Sequence, residues 1–296
     1  MTRLLYPGHF SRKNTIGDRE VIRTVTPAKM REIQRRYYVP NNSALIVTGD
    51  VTPDSVFAWA ERFYGDWKRA DDPFQAAPIP PIPTIAKDTA VVAEAPVSAV
   101  TVLFQWQGPS VRKDPASTYA ADVFSDALNS PGSRFQRRLV DSGLWQGVVV
   151  NYYTLNQVGP ISISGQARPE RLREAVRALN EEIEKLDDPG YFTAEELENV
   201  KAQRAVESAF GAERTSGLTH TIGFWWAVAD LDYFMGYVDE MAKQTPADLQ
   251  AYAQRFLVGK PRVTGVLLSP EDRRQLSLQE AELAAVWSKP VAGTTP

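Results

Sequence analysis

Arginine side chains are concentrated in one short stretch of the sequence, where they could bind a carboxylate or a carbonyl group. Arg134, Arg137 and Arg138 fall within five consecutive positions. The planar guanidinium group forms paired hydrogen bonds with such acceptors, so these residues could hold a peptide. The same pattern is typical of the solvated face of a helix, and the sequence leaves both interpretations open.

Aromatic and amide side chains follow directly after the arginines. Trp145 and Tyr152, with Tyr153 beside it, fall in a predicted hairpin and could line a chamber that holds a peptide. Aromatic residues in strands also commonly form the core or pair across strands. The candidate substrate-binding residues are Arg137, Arg138, Trp145, Gln146 and Tyr152.

Residues that could bind a metal or act as nucleophiles are sparse. Neither His9 nor His220 lies at a spacing typical of metal ligands, and His220 falls in a predicted apolar helix, where a hydrogen-bonded core or edge position is usual. The sequence contains no cysteine, which excludes thiolate metal sites and cysteine nucleophiles. No serine nucleophile elbow is present. We therefore predict no catalytic residue and no metal ligand in this chain.

The composition is that of an ordinary globular protein. The 296 residues include 33 basic and 36 acidic side chains, for a formal net charge of -3. This balance argues against a nucleic-acid groove, so no nucleic acid is expected as a partner. No stretch approaches the ~20 apolar residues of a membrane span, and no signal peptide is visible at the start. Both a periplasmic and a cytoplasmic location are compatible with the sequence.

The first part of the chain is predicted to contain a helix, a strand and a second helix. Thr26 and Pro27 open a helical pattern that ends near Pro40. Residues 43–49 form a short apolar run bounded by Gly-Asp, which predicts a buried strand. The second helix begins at Thr52 and has an apolar stripe along one face.

A proline-rich segment separates this part from the rest of the chain. Residues 70–85 contain five prolines, which favour extended backbone and indicate a semi-rigid linker. Beyond it, residues 90–107 predict one long strand or two consecutive strands, and residues 114–129 predict a helix. Residues 145–154 and 159–167 predict an antiparallel hairpin.

The remainder of the chain is predicted to be mainly helical. Apolar residues from 172 to 186 form a stripe along one helix, and Thr193 with Glu196 has the pattern of a capping box that opens the next. Residues 262–268 predict a strand, and residues 269–296 predict a final helix with a frayed tail. The predicted fold class is therefore mixed, α+β or α/β.

A helix start recurs 219 residues along the chain. Residues 26–30 and 245–249 both begin Thr-Pro-Ala, and each is followed at the same interval by an arginine and an aromatic residue, Arg36-Tyr37 and Arg255-Phe256. The predicted strand that follows repeats in register. A duplication explains these matches better than coincidence does.

The repeat divides the chain into one partial unit and one complete unit. We predict that residues 1–80 are the C-terminal part of a first repeat and that residues 81–94 are a proline-rich linker and lead-in strand. Residues 95–272 then form a second, complete repeat, and residues 273–296 form a C-terminal tail.

Short segments along the whole chain carry a specific combination of residues. Residues 6–10 read Tyr-Pro-Gly-His-Phe, residues 35–42 read Arg-Arg-Tyr-Tyr-Val-Pro-Asn-Asn, and residues 45–50 read Leu-Ile-Val-Thr-Gly-Asp. They resemble the end of the first domain in the insulinase, pitrilysin and mitochondrial processing peptidase family. Residues 133–144 and 193–201 resemble two helices of the second domain of that family.

The resemblance implies repeats of a mainly antiparallel sheet flanked by helices, paired into a clamshell around an unfolded peptide. In similar proteins zinc lies in the first repeat, on a His-x-x-Glu-His motif and a distal glutamate. That motif is absent from this sequence. The resemblance therefore implies no cofactor in this chain and zinc in an upstream repeat or in a partner.

The second repeat departs from the family pattern at two positions. Active relatives supply an arginine and, seven residues later, a tyrosine that help to hold the peptide at the metal. The aligned positions here are Leu139 and Gln146. A shift of one residue gives Arg138 and Trp145, which keeps the spacing and half of the chemistry. Either a different group orients the peptide or this repeat is mainly scaffold.

Two functions are compatible with this pattern. The first is the substrate-enclosing, non-metal part of an insulinase-type zinc peptidase that degrades or processes peptides and is inactive alone. The alternative is a non-catalytic scaffold or binding subunit that retains the family fold. The expected partners are a zinc-bearing peptidase repeat or subunit and a peptide substrate, in a homo- or hetero-oligomer.

Overall fold

A five-stranded mixed sheet organises the second part of the chain. The computed structural model describes residues 1–9 and 16–285. The strands are β1 (Thr89–Glu94), β2 (Val100–Gln107), β3 (Gly147–Tyr152), β4 (Pro160–Ala167) and β5 (Val263–Leu268). Their order in the sheet is β1-β5-β2-β4-β3. β1 runs parallel to β5 and the other three pairs are antiparallel, so the predicted, mainly antiparallel sheet is confirmed.

Helices flank the sheet and fill the connections. Before the sheet lie α1 (Thr2–Leu5), α2 (Arg19–Thr24), α3 (Pro27–Tyr37), α4 (Pro53–Tyr64) and α5 (Pro73–Ala76). Between β2 and β3 lie α6 (Pro115–Asn129) and α7 (Arg134–Gln136). Between β4 and β5 lie α8 (Leu172–Ile183), α9 (Ala194–Ala212), α10 (Thr215–Val228), α11 (Leu231–Ala242) and α12 (Pro246–Phe256). The last helices are α13 (Pro270–Leu276) and α14 (Glu280–Ala285), and the mixed fold class is confirmed.

The central strand β2 shows why the sheet buries one face in the main core. Val102, Phe104 and Trp106 are each at most 1% exposed, whereas the residues between them are partly exposed. Successive side chains of a strand point to opposite faces, so this alternation directs the three residues to the same side. Burial of each such side chain stabilises the fold by about 1.5–3 kcal/mol.

Helix α6 packs in the same core because its apolar residues recur at helical spacing. Ala120, Phe124 and Leu128 lie four residues apart and are buried. The ring of Phe124 lies 5.4 Å from the ring of Phe192 and 5.0 Å from that of Tyr252, between centroids. α6 therefore connects the sheet to the outer helices, and it carries the polar residues described below.

The N-terminal segment covers the opposite face of the sheet. Leu5 and Tyr6 are buried in a small second cluster with Ile85 and Val263. Val263 of β5 lies on the opposite side of the strand from Val266, which belongs to the main core. The sheet is thus covered on one face by helices and on the other by the chain start and the proline-rich segment.

The predicted strand at residues 43–49 is wrong, although the helices on both sides of it, α3 and α4, are confirmed. Residues 43–48 have no regular secondary structure, and Leu45 and Val47 are exposed. A strand needs a neighbour to accept and donate backbone hydrogen bonds, and the described residues provide none here. The segment instead contacts α10, where the Thr48 hydroxyl donates to the Thr215 carbonyl at 2.8 Å.

The predicted final helix is broken into two helices over the described residues. α13 ends at Leu276, and the following Ser277 adopts a left-handed backbone conformation with φ of 51°. This conformation ends a helix because its carbonyl and amide groups no longer continue the ladder. Residues 286–296, the rest of the predicted helix and tail, lie outside the described residues.

Candidate substrate-binding surface

The arginine-rich stretch forms a helical turn that exposes its charged side chains. Ser133 caps α7 by accepting a hydrogen bond from the Gln136 amide at 3.1 Å. The helix then widens into a π-helical turn at Arg137–Asp141. Such wide turns are rare and are frequent at functional sites. Within this turn Arg137 and Arg138 are exposed, and Leu139 is fully buried.

The two exposed arginines differ in their ion pairing. Arg138 Nη2 lies 3.6 Å from Glu181 Oε2, and both side chains remain more than two-fifths exposed. An ion pair this exposed adds little stability. Arg137 forms no salt bridge within the part of the chain that the structure describes. Both guanidinium groups are therefore accessible to a ligand.

Arg134 belongs to a structural network. Its guanidinium carbon lies 4.9 Å from the centre of the Tyr191 ring, and its Nε lies 3.9 Å from Glu182 Oε2. Glu182 is buried, and it also accepts a hydrogen bond from the Tyr191 hydroxyl at 3.0 Å. Burial raises the pKa of the Tyr191 hydroxyl, and the negative charge of Glu182 raises it further. Arg134 thus partly neutralises a buried carboxylate.

The structure places two of the five candidate residues in the core. Trp145 is 2% exposed, and its indole N–H donates to the Ala175 carbonyl at 3.0 Å. Tyr152 is 6% exposed, and its hydroxyl donates to the Pro109 carbonyl at 3.2 Å. Burial raises the pKa of this hydroxyl. Both rings therefore have the geometry of core residues, the alternative that the sequence had left open.

Gln146 lies on the surface next to the π-helical turn. The Trp145 amide donates to the Leu139 carbonyl at 3.0 Å, which fixes the start of β3 to the turn. Gln146 follows this bond directly, and its side chain is exposed. Arg137, Arg138 and Gln146 are thus the accessible members of the predicted set, and Trp145 anchors the elements on which they lie.

A polar cluster that the sequence interpretation missed lies between α6, α9 and α11. Arg204 of α9 donates to both carboxylate oxygens of Asp126, at 2.9 Å and 2.6 Å. The Tyr237 hydroxyl donates to Asp122 Oδ2 at 2.6 Å. Burial raises the pKa of Asp122 to about 6, against the opposing effects of the Tyr237 hydrogen bond and the Arg204 charge. The signal in the sequence was a pair of carboxylates four residues apart in an apolar helix.

The structure places the two histidines in different environments. No cluster of three or more His, Cys, Asp or Glu residues suited to a metal occurs among residues 1–9 and 16–285. His9 is buried, with Nε2 2.9 Å from the Pro80 carbonyl, and His220 is exposed on α10. Within the same ranges no helix is both long enough and apolar enough to cross a membrane.

Known proteins share both the sequence pattern and the fold. The chain is 24% identical over 275 residues to "Zinc protease PqqE" of Helicobacter pylori, covering 90% of this chain and 59% of that protein. It is 24% identical over 200 residues to "Probable zinc protease PqqL" of Escherichia coli, covering 65% of this chain and 21% of that protein. This chain thus spans less than two-thirds of the length of either relative.

A solved structure and a family profile complete the comparison. The first half of the periplasmic protease PqqL from Escherichia coli superposes with a TM-score of 0.73 at 19% identity, covering 99% of this chain and 66% of that chain, which shows a shared fold. The sequence profile described as the peptidase M16 inactive domain matches residues 24–204, more than half of the chain. The chain therefore belongs to the peptidase M16 inactive-domain family, and so to the insulinase and pitrilysin group of metallopeptidases.

Proposed function

We propose that this chain is the substrate-enclosing, non-metal half of a zinc peptidase, inactive by itself and completed by a zinc-bearing half. The observation that carries the proposal is an apolar face on α4, made of Trp59 and Phe63, which lie one helical turn apart and are 55% and 68% exposed. Large exposed apolar patches mark surfaces that other proteins cover. Membership in the inactive-domain family supports a catalytic M16 half as the covering partner.

Other elements of the first part of the chain also expose apolar side chains. Met30 and Ile33 of α3 are 54% and 43% exposed, and Leu45 of the irregular segment is 57% exposed. These residues come from the part predicted to be an incomplete first repeat. A zinc-bearing half that supplied the neighbouring strands would bury these side chains and satisfy the backbone groups of residues 43–48.

The chemistry divides between the two halves. Zinc held by the partner would polarise the scissile carbonyl and activate water. This chain would enclose the peptide and bind it through Arg137, Arg138 and Gln146. A guanidinium group at this place would donate to peptide carbonyls or to a carboxylate, which fixes the orientation of the substrate.

One observation favours the alternative, a scaffold without a role in substrate binding. Leu139 aligns with the arginine that holds the peptide in active relatives, and its side chain is fully buried in this chain. A side chain at this position would not reach a substrate. The two functions differ in whether Arg137 and Arg138 contribute to peptide affinity.

The proposed partner is tested by co-purification with a tagged zinc-bearing M16 half. We expect a stable complex whose yield falls at least about tenfold when Trp59→Gln and Phe63→Gln are combined, because large apolar residues dominate interfaces. The matched control is Phe210→Gln, since Phe210 of α9 is 66% exposed and lies outside the apolar face of α4. A complex that tolerates the paired change and loses yield with the control contradicts the proposal.

A further inference from the structure

The outer edge of β3 is bonded to a side-chain amide in place of a neighbouring strand. β3 ends the sheet and pairs with β4 on its inner side. The Val150 N–H donates to Asn129 Oδ1 at 2.8 Å, and the Val150 carbonyl accepts from Asn129 Nδ2 at 2.7 Å. In an antiparallel pair the two polar groups of one residue both face the partner strand or both face away from it. Those of Val150 therefore face the outer edge.

A second amide occupies the next outward position along the same edge. Gln136 Nε2 donates to the Val148 carbonyl at 3.1 Å and to the Leu128 carbonyl at 3.0 Å. Val148 is two residues from Val150, so its carbonyl points to the same side of β3. Asn129 ends α6 and Gln136 ends α7, and both helices are anchored by buried residues such as Leu128 and Phe135. The two amides are thus held against the strand by the core.

The other end of the sheet is covered as well. The Val92 N–H of β1 donates to Glu280 Oε1 at 3.2 Å, and α14, which contains Glu280, packs along β1. Open strand edges invite pairing with other chains, and proteins commonly block them with covering elements or polar side chains. Both edges of this sheet carry such a block.

We propose that Asn129 and Gln136 close β3 to strand addition, so that neither an extended peptide nor a second copy of the chain pairs with this edge. An asparagine amide presents one donor and one acceptor, as a peptide group does, and it therefore occupies the hydrogen-bonding place of an added strand. On the proposed function, side chains such as Arg137 then make the contacts between this half and the peptide.

The first test measures amide hydrogen exchange at Val150 in the 296-residue chain. We expect Asn129→Ala to speed exchange at Val150 by at least about tenfold, with the amides of β2 unchanged, because only the edge opens. Asn129→Asp keeps the acceptor for the Val150 N–H and removes the donor to its carbonyl, so exchange at Val150 should stay slow. This variant also serves if the alanine variant folds poorly.

The second test probes strand addition directly with a fluorescent peptide that has the sequence of β4, Pro160–Ala167. The combined Asn129→Ala and Gln136→Ala variant should bind this peptide at least about tenfold more tightly than the wild type. The proposal is overturned if Asn129→Ala leaves exchange at Val150 unchanged, or if the combined variant binds the probe no better than the wild type. Neither measurement involves zinc or the partner half, so these outcomes are independent of the proposed function.

Discussion

At the scale of single residues, Arg137 and Arg138 differ from the neighbouring Arg134 in the groups that their charges contact. Arg134 lies beside the buried Glu182 and stacks on Tyr191, whereas Arg138 pairs with the half-exposed Glu181 and Arg137 forms no salt bridge among the described residues. When an exposed arginine binds a peptide, the free-energy cost of removing water from its guanidinium group is small. The arginine gains a charge-assisted hydrogen bond in return. Their position on a turn fixed by the core makes them better suited to bind substrate than arginines on a mobile loop.

Alanine at these arginines should weaken substrate binding in the complex with the zinc-bearing half. We expect Arg137→Ala and Arg138→Ala together to raise KM for a peptide about tenfold with little change in kcat, since a hydrogen bond to a charged group contributes on the order of 1.5 kcal/mol or more. Steady-state kinetics on a fluorogenic peptide give both constants. Arg177→Ala removes another exposed arginine, from α8, and should leave KM unchanged. An equal KM in all variants would support the scaffold function.

The Asp122 carboxyl group has a higher pKa in the folded chain than in the unfolded chain. Its pKa rises from 3.8 to about 6 because burial disfavours the carboxylate. The folded state therefore binds more protons than the unfolded state between these values. The stability contributed by this group is fully present below pH 3.8 and is lost as the pH rises through about 6.

Asp122→Asn should remove this pH dependence while preserving an acceptor for the Tyr237 hydroxyl. As the pH rises from 4 to 8, we expect the free energy of unfolding of the variant to increase relative to that of the wild type by on the order of 1–2 kcal/mol. Urea unfolding at several pH values measures the difference. A constant difference between the two proteins across this range would contradict the assignment.

At the scale of elements, the contact of β4 with Trp145 fixes the position of the π-helical turn. A Cβ atom at Gly165 would lie 2.6 Å from Trp145 Cε3, so the strand accepts the indole only where it has no side chain. Trp145 in turn bonds to Ala175 of α8 and to the Leu139 carbonyl. The packing of one glycine on one tryptophan thus joins β4, α8 and the turn that carries the arginines.

Gly165→Ala should destabilise the second part of the chain by about 1–3 kcal/mol, the usual cost of overpacking a core. Trp145→Phe removes the ring atoms that the new methyl group would meet, so it should partly suppress the effect of Gly165→Ala. A double-mutant cycle from urea unfolding measures this coupling. The Gly147 carbonyl, 3.0 Å from the same Cβ position, is unchanged by the tryptophan variant, and suppression should therefore be incomplete. Additive effects would show that the two residues do not share the contact.

The sequence predicted most elements because their patterns are local. The alternation in β2 and the helical spacing in α6 reflect burial on a single face, and each pattern is complete within one element. Residues 43–49 have the composition of a strand, but strand formation depends on a neighbour that local pattern does not reveal. The break at Ser277 also depends on a single backbone conformation within an otherwise helical sequence.

The candidate site was predicted less completely, for the same reason. The pattern placed Trp145 and Tyr152 in a hairpin, but their burial depends on packing against Ala175 and Pro109, which come from other elements. The polar cluster depends on pairings between residues 78 and 115 positions apart in the chain. Exposed arginines, in contrast, follow from the amphipathic pattern of one short helix.

At the scale of the whole molecule, the two parts of the chain differ in how fully they bury their apolar residues. The second part has a continuous core that includes Phe104, Phe124 and Leu179, whereas one face of α4 exposes Trp59 and Phe63. A surface of this kind is stable in solution when another protein covers it. The proposed covering protein is a catalytic half of the same family.

The central claim is tested most directly by the rate of peptide cleavage when this chain is combined with a zinc-bearing M16 half. We expect no cleavage by the chain alone, cleavage by the complex, and loss of that cleavage when a chelator removes zinc. A stable complex that holds zinc yet cleaves no peptide from a broad library would contradict the claim and assign the chain to a scaffold. Cleavage by the chain alone that resists the chelator would contradict it as well.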